Sequence, residues 1–277
     1  MTKKYLRLTL NERAQHLNLF INFTILVITG FALKYPEAFW VSPITDVPSG
    51  MTLRGFLHRL SGVAVVSLGG YHLLYLLFTK RGRGILKDMI PGLKDARDLW
   101  ETLKNNLFIN RPPKAVKMGR FNFREKLEYF GLIWGTIVMT VTGFILWFDV
   151  EWLKYFPKWT FDVARAIHFY EAILATLTII VWHFYSVIFD PDVYPMNWAW
   201  ITGYLSEHEM EAEHGDHLEK MKAQEKAELA EFDKAAAIGG GRIIPFHMER
   251  EEKSSSLRSF YSVVKDLNEA MKDWKGK

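Results

Sequence analysis

Four long apolar runs, separated by polar connections, dominate the pattern of this 277-residue chain. They cover about residues 17–35, 55–79, 126–149 and 163–189, and none of them contains proline. A helix needs about 20 apolar residues to cross a hydrocarbon layer about 30 Å thick. The pattern therefore predicts an all-α membrane protein, a four-transmembrane-helix bundle with a helical cytoplasmic connection and a C-terminal extension.

The polar segments set the predicted domain limits. Residues 1–16 form an N-terminal segment, residues 17–203 the four-helix domain, and residues 204–277 a polar extension. The connection between spans two and three contains KDMIPGLKDARDLWETLKNNLF, which is typical of a helix broken near Pro91, either on the membrane surface or in solvent. The extension predicts a charged helix over EHEMEAEHGDHLEKMKAQEKAELAEFDKAAA, a break at GGGRIIPF and a short amphipathic helix over SLRSFYSVVKDLNEAMKDW.

Lysine and arginine are distributed unequally between the polar segments. The first 16 residues hold four and the connection between spans two and three holds thirteen, whereas the other two connections hold two and three. By the positive-inside rule, both termini and the central connection are expected in the cytoplasm. The start MTKKYLRLTLNERAQ has no small-residue cleavage site after an apolar core, so no removable signal peptide is expected.

The composition narrows the possible redox chemistry. The chain has no cysteine, which excludes a thiolate-ligated iron–sulfur cluster, the attachment motif of c-type haem, and disulfides. A redox cofactor would therefore be held by histidine or without a covalent bond. The expected contacts include membrane lipid and exclude nucleic acid.

Histidines in the second and fourth spans follow a matched spacing. His58 and His72 are 14 residues apart, about 40° short of four helical turns. His168 and His183 are 15 residues apart, about 60° beyond four turns. Each pair therefore shares one face of its helix.

The depths of these histidines also agree. His58 and His168 each lie 22 residues before the charged residue that ends their span, and His72 and His183 lie 8 and 7 residues before it. Ionisable side chains inside a membrane are costly and usually functional. Because two level imidazoles on different helices can ligate one b-type haem, the spacing predicts two haem b groups. Arg59, beside His58, and Arg13, near His16, are candidate partners of haem propionates.

The extension contains a second group of histidines, His208, His214 and His217. Three nearby histidines are a candidate metal site. Their acidic surroundings instead favour ordinary solvated side chains.

The chain resembles the membrane cytochrome b subunits of bacterial formate dehydrogenases, nickel-iron hydrogenases and thiosulfate reductases. The resemblance covers roughly residues 8–205 and rests on RAQHLNLFINFTILVITGFAL, LHRLSGVAVV, GRFNFREKLEYFGLIWGTIVMTVTGFILW and IHFYEAILATLTIIVWHFY. It implies His58 and His168 as ligands of an outer haem, and His16 and His183 as ligands of an inner haem. It also implies a menaquinone or ubiquinone beside the inner haem, contacted by Asn122 and His183.

Two residues depart from that pattern. His72 makes the spacing also similar to cytochrome b of quinol-oxidising bc and bf complexes, in which the inner pair would be His72 with His183. The choice between His16 and His72 stays open, and the unused one would bind a propionate, serve quinone protonation or ligate a third haem. Glu171, one turn after His168, is a candidate proton carrier for an outer quinone, or a hydrogen-bonding neighbour of a group such as Tyr170.

These features favour an electron-transfer subunit of a larger quinone-coupled oxidoreductase in a bacterial inner membrane. The expected redox partner is an iron–sulfur subunit or a multihaem c-type cytochrome on the periplasmic side, and the long connection and extension suggest a further subunit at the cytoplasmic face. Two alternatives are a haem-free membrane anchor for a catalytic subunit and a proton-relay transporter component. The anchor leaves five membrane histidines unexplained, and a transporter predicts broken helices or a polar stripe.

Overall fold

A computed structural model of the protein describes residues 3–45, 49–107 and 116–238. Within these residues, four helices are long and apolar enough to cross a membrane. In chain order they are α1 (Leu10–Lys34), α3 (Gly50–Phe78), α6 (Phe123–Trp147) and α8 (Lys158–Phe189). A short helix, α2 (Ser42–Thr45), lies between α1 and α3. The predicted four-helix membrane fold is confirmed.

Smaller elements connect and flank the spans. They are β1 (Lys4–Leu6), α4 (Lys80–Met89), α5 (Leu93–Leu107), α7 (Asp149–Tyr155), α9 (Ala199–Thr202), β2 (Tyr204–Ser206) and α10 (Glu207–Ile238). The break between α4 and α5 falls at residues 90–92, as predicted near Pro91. The amphipathic helix predicted near the C-terminus lies outside the described residues.

Capping residues explain where two of the spans begin. Thr9 and Glu12 form a capping box at the start of α1, and Asn122 and Glu125 form another at the start of α6. Each box satisfies backbone N–H groups that have no partner within the helix. Helix α1 therefore begins at Leu10, ahead of the predicted residue 17, and places His16 inside the helix.

The spans are arranged as two packed pairs. Helix α1 packs against α3, and α6 packs against α8, while α3 also contacts α6. In the most apolar window of each span, at most 11% of the residues are buried inside the chain. Most side chains of the spans are therefore not covered by the described chain, as expected for helices that contact lipid.

The fourth span changes its geometry near its end. After Lys158–Leu177 in α-helical form, the segments Thr178–His183 and Tyr185–Phe189 are π-helical. A π-helix has more residues per turn than an α-helix and occurs often at functional sites. The direction of His183 therefore does not follow the regular α-helical spacing from His168.

The chain divides into two units, Met1–His217 and Leu218–Lys277. In the first unit, β1 pairs antiparallel with β2, with Tyr5 opposite Leu205. Leu205 and Met210 are buried, so residues 204–217 pack within the first unit. In the second unit, residues 218–238 continue α10 as a helix.

Candidate functional site

Two histidine rings lie together near the end of the bundle where α3 and α8 begin. The ring centres of His58 on α3 and His168 on α8 are 6.4 Å apart, and the ring planes meet at 63°. His58 Nδ1 lies 2.8 Å from Thr29 Oγ1, and His168 Nδ1 lies 2.9 Å from Thr142 Oγ1. The matched depth predicted for this pair is thus accompanied by direct proximity in space.

Each threonine determines which ring nitrogen of its histidine carries the proton. Thr29 Oγ1 donates to the carbonyl of Ile25, and Thr142 Oγ1 donates to that of Val138. Because the hydroxyl proton is used, each oxygen accepts a hydrogen bond from Nδ1–H of the histidine. The lone pair on Nε2 is therefore available to a metal, the arrangement in which a second partner orients a ligating histidine.

Glycines leave room beside the same two rings. A Cβ atom on Gly30 would lie 3.3 Å from His58 Cε1, and one on Gly143 would lie 3.4 Å from His168 Cε1. These glycines follow Thr29 and Thr142 directly, within the similar segments ITGF and VTGF. The threonine–glycine pairs were not among the predicted site residues, although this repeated motif in spans one and three signals them.

A second pair lies near the opposite end of the bundle, where α1 begins and α8 ends. The ring centres of His16 on α1 and His183 on α8 are also 6.4 Å apart, with the planes at 38°. His183 Nδ1 is 2.8 Å from Glu128 Oε2. His16 Nδ1 is buried and has no hydrogen-bond partner among the described residues. The ring of Trp200 packs near His16, with its centre 5.8 Å away.

His72 has a different environment from His16. Its Nδ1 lies 2.7 Å from Gln15 Oε1, and its Nε2 lies 3.0 Å from the hydroxyl of Tyr129. Because the amide oxygen only accepts, Nδ1 donates to it and Nε2 accepts from the tyrosine. Both nitrogens of His72 are therefore engaged, and the histidine ring beside His183 is that of His16.

The two 6.4 Å separations fit a bis-imidazole haem. An imidazole nitrogen binds a transition metal at about 2 Å and lies about 1 Å from its ring centre, so two axial imidazoles have centres about 6 Å apart. Both pairs lie on helices long enough to span the membrane. The donor set, neutral imidazole without thiolate, suits b-type haem.

The other predicted site residues have local partners. Asn122 is the N-cap of α6, and its side chain accepts from the Glu125 amide. Arg59 lies over the Trp147 ring at 5.4 Å, and Arg13 donates to the carbonyl of Ile201. None of these contacts tests the predicted quinone and propionate roles.

Glu171 lies against α6 at a glycine. A Cβ atom on Gly135 would come within 2.9 Å of Glu171 Oε1. Among the described residues, the carboxyl of Glu171 has no hydrogen bond or ion pair. Gly135 therefore provides the space for this acid between the two helices, and the proton-carrying role of Glu171 stays a prediction.

One histidine of the extension, His214, differs from the expectation of solvated side chains, whereas His208 is exposed. His214 is 1% exposed, because the start of α10 packs with the first unit and not as a free tail. Burial lowers the pKa of His214 to about 4. The described part of the chain contains no group of three or more His, Asp or Glu side chains that could hold a bare metal ion.

Comparisons with known proteins match this architecture. The family model for prokaryotic cytochrome b561 matches residues 7–195, a range that includes all four spans. The cytochrome b556(Fdn) subunit of the nitrate-inducible formate dehydrogenase of Escherichia coli (strain K12) is 24% identical over 187 residues, 66% of this chain and 77% of that subunit. The subunits of the same name from Escherichia coli O157:H7 and Shigella flexneri match with the same identity and coverage.

Proposed function

Because the chain belongs to the prokaryotic cytochrome b561 family, we propose that it transfers electrons between a partner redox subunit and the membrane quinone pool through two haem b groups. The family makes it a multi-pass membrane cytochrome b that takes part in electron transfer. The number of haems, their ligands and the quinone belong to the proposal. The observation that carries it is the equal separation, 6.4 Å, of two histidine pairs at different depths.

In this proposal, His58 and His168 hold the outer haem, and His16 and His183 hold the inner one. Bound haem b supplies an iron that alternates between ferric and ferrous states and carries one electron at a time. Thr29 and Thr142 keep the outer imidazoles in the tautomer that leaves Nε2 free. The carboxylate of Glu128, which accepts from His183 Nδ1, makes that imidazole a stronger ligand.

The quinone, a menaquinone or ubiquinone, is proposed to react beside the inner pair. Polar groups that can orient a quinone and exchange protons lie in this half of the bundle, including Glu128, His72 and Tyr129. Asn122 begins the helix that carries Glu128. With this end of the bundle at the cytoplasmic face of a bacterial inner membrane, quinone reduction would take its protons from the cytoplasm.

The partner is proposed from the relatives and from the charge distribution. The similar subunits belong to a formate dehydrogenase, so we place this chain in a redox-enzyme complex. The outer pair would exchange electrons with an iron–sulfur subunit or a multihaem c-type cytochrome on the periplasmic side. The central connection and the extension would contact a subunit at the cytoplasmic face.

Haem counting on two matched variants tests the ligand assignment. The purified full-length chain is expected to contain two haem b per polypeptide by pyridine haemochrome assay. His16→Ala is expected to retain one, because the proposed inner site would lose one of its two histidines. His72→Ala is expected to retain both, because its ring nitrogens bond to Gln15 and Tyr129.

Three results would contradict this assignment. Loss of one haem from His72→Ala with both haems kept in His16→Ala would exchange the two residues. A wild-type preparation folded in membranes and without haem would favour the haem-free anchor. Proton-coupled transport by a chain that contains no haem would favour the proton-relay alternative.

A further inference from the structure

The first turns of α10 contain a polar pair, the buried His214 and the partly buried Glu213. His214 Nδ1 lies 3.1 Å from the carbonyl oxygen of Gly119, and His214 Nε2 lies 3.7 Å from Glu213 Oε2. His214 is 1% exposed, and its Nε2 has no hydrogen-bond partner among the described residues. The helix backbone departs from helical geometry at His214 itself, so the side chain turns inward.

The hydrogen bond to Gly119 determines whether His214 Nε2 faces Glu213 as a donor or as an acceptor. A carbonyl oxygen only accepts, so Nδ1 carries the imidazole proton and Nε2 presents a lone pair. Burial lowers the pKa of His214 to about 4, and the ring is neutral near pH 7. A buried lone pair without a donor is unfavourable. A protonated Glu213 carboxyl is the group next to it that can supply the proton.

The charged groups around Glu213 do not neutralise it. Burial, and then the nearby carboxylate of Glu125, raise the pKa of Glu213 to about 7. The surrounding guanidinium groups already bind other carboxylates, Arg7 with Glu125 at 2.7 Å and Arg124 with Asp190 at 2.6 Å.

Two further groups face the pair. Asn197 Nδ2 lies 3.4 Å from Glu213 Oε2, and the charge of His217 lowers the pKa of His214. Asn197 donates to the Glu213 carboxyl as a neutral amide and does not cancel its charge. Glu213 therefore gains and loses a proton near neutral pH at a site with 13% of its side chain exposed.

Acidic side chains of α6 act on both this pair and the inner histidines. The Glu125 carboxylate acts on the pKa of both Glu213 and His214, and Glu125 lies one helical turn before Glu128. The carboxylate of Glu128 in turn lies 2.8 Å from His183 Nδ1. Acidic groups thus extend from the polar end of the bundle to the inner pair.

We propose that Glu213 and His214 form a proton-exchange pair between the cytoplasm and the quinone site beside the inner histidines. This inference rests on the proposed function. Reduction of one quinone to quinol takes up two electrons and two protons. The electrons come from the partner redox subunit, and each proton passes from solvent to Glu213 Oε2 and then toward the quinone, after which Glu213 is reprotonated. Quinol oxidation reverses the same steps. The pair lies beyond residue 195, where the family match ends.

The test compares Glu213→Gln with Glu211→Gln in the purified, haem-loaded full chain. Gln has nearly the same shape as Glu but carries no exchangeable acid proton, and Glu211 is an exposed acid on the same helix. Infrared difference spectra are recorded across a pH titration, and reduction of the haem by a quinol is followed by stopped flow. We expect a protonated-carboxyl band that titrates near pH 7 in the wild type and in Glu211→Gln and is missing in Glu213→Gln. We expect haem reduction about tenfold slower or more in Glu213→Gln, with unchanged haem content.

The outcomes separate this inference from the function on which it rests. A wild-type chain that quinol cannot reduce would overturn the quinone function and this inference with it. A wild type that reacts with quinol, together with a Glu213→Gln variant of equal rate or with the same infrared band, would overturn the inference alone. The Glu213→Asp variant keeps a carboxyl group and is expected to recover much of the rate of haem reduction. It is used as the test variant if Glu213→Gln does not fold. An Asp variant as slow as a haem-loaded Gln variant would also contradict the pair.

Discussion

Thr29 and Gly30 act on one histidine from the same turn of α1. The hydroxyl of Thr29 is buried and accepts from His58 Nδ1, and Gly30 leaves space at the edge of the ring. Thr142 and Gly143 repeat the arrangement for His168. At this scale, one hydroxyl determines which imidazole nitrogen is free, and one missing side chain determines how closely the helix approaches the ring.

Removal of one hydroxyl tests this arrangement. Thr29→Val keeps the shape of the side chain but leaves His58 Nδ1–H without its acceptor. We expect about tenfold weaker retention of the outer haem and a changed midpoint potential, since such supporting partners usually contribute 10–100-fold in metal affinity. Haem content and redox titration measure both effects.

Thr24→Val is the matched control on the same helix. Thr24 Oγ1 donates to the carbonyl of Phe20 and is exposed, so this variant is expected to behave as the wild type. Equal haem retention and potential in both variants would mean that the Thr29 hydroxyl does not orient the ligand.

At the scale of the element, the first turns of α10 contain two groups whose titrations change the stability of the fold in opposite directions. Glu213 has a pKa of about 7 against an ordinary 4.5, so the folded chain holds more protons than the unfolded one and its stability falls as the pH rises through this interval. His214 has a pKa of about 4 against an ordinary 6.5. The folded chain holds fewer protons there, and its stability falls as the pH decreases from 6.5 toward 4.

Single variants are expected to expose these opposite slopes. In the wild type the two contributions largely cancel between pH 4.5 and 6.5. Glu213→Gln leaves the contribution of His214, so its melting temperature is expected to fall on acidification. His214→Gln leaves that of Glu213, so its melting temperature is expected to fall as the pH approaches 7. Thermal unfolding followed by tryptophan fluorescence in detergent, over a pH series, measures the slopes, with Glu211→Gln as the control. Parallel profiles for all variants would show that neither group titrates as described.

At the scale of the whole molecule, the orientation of the two histidine pairs depends on which side of the membrane each polar connection lies. Helix α7 lies between spans three and four, and α10 follows span four, so the two are on opposite sides of the membrane if all four helices cross it. From the positive-inside rule, we propose that α10 lies in the cytoplasm. The inner histidine pair would then lie on the cytoplasmic side and the outer pair on the periplasmic side.

The absence of cysteine allows a direct test of this orientation. Single cysteines are introduced by Glu151→Cys on α7 and Glu211→Cys on α10, both at exposed positions. In intact spheroplasts, a membrane-impermeant maleimide is expected to label the cysteine on α7. The cysteine on α10 is expected to react only after permeabilisation. The reverse pattern would invert the topology, and labelling of both before permeabilisation would contradict the four-span arrangement.

The sequence by itself determined the four spans, because a helix that crosses a hydrocarbon layer must be long and apolar. Such runs are recognisable from the order of apolar residues alone. The sequence also singled out His58 and His168, whose level depths follow from regular α-helical rise along two spans. The structure brings these two rings together. The break near Pro91 was equally visible, because proline removes a backbone donor.

Only the tertiary structure decided which histidine meets His183. The sequence argument applied 100° per residue to the whole fourth span, but Thr178–His183 is π-helical and changes that direction. The capping box that starts α1 at Leu10 also places His16 within the helix. The burial of His214 likewise depends on packing between the start of α10 and distant segments such as Gly119. Such contacts join residues far apart in the chain, and no local pattern of apolar and polar positions records them.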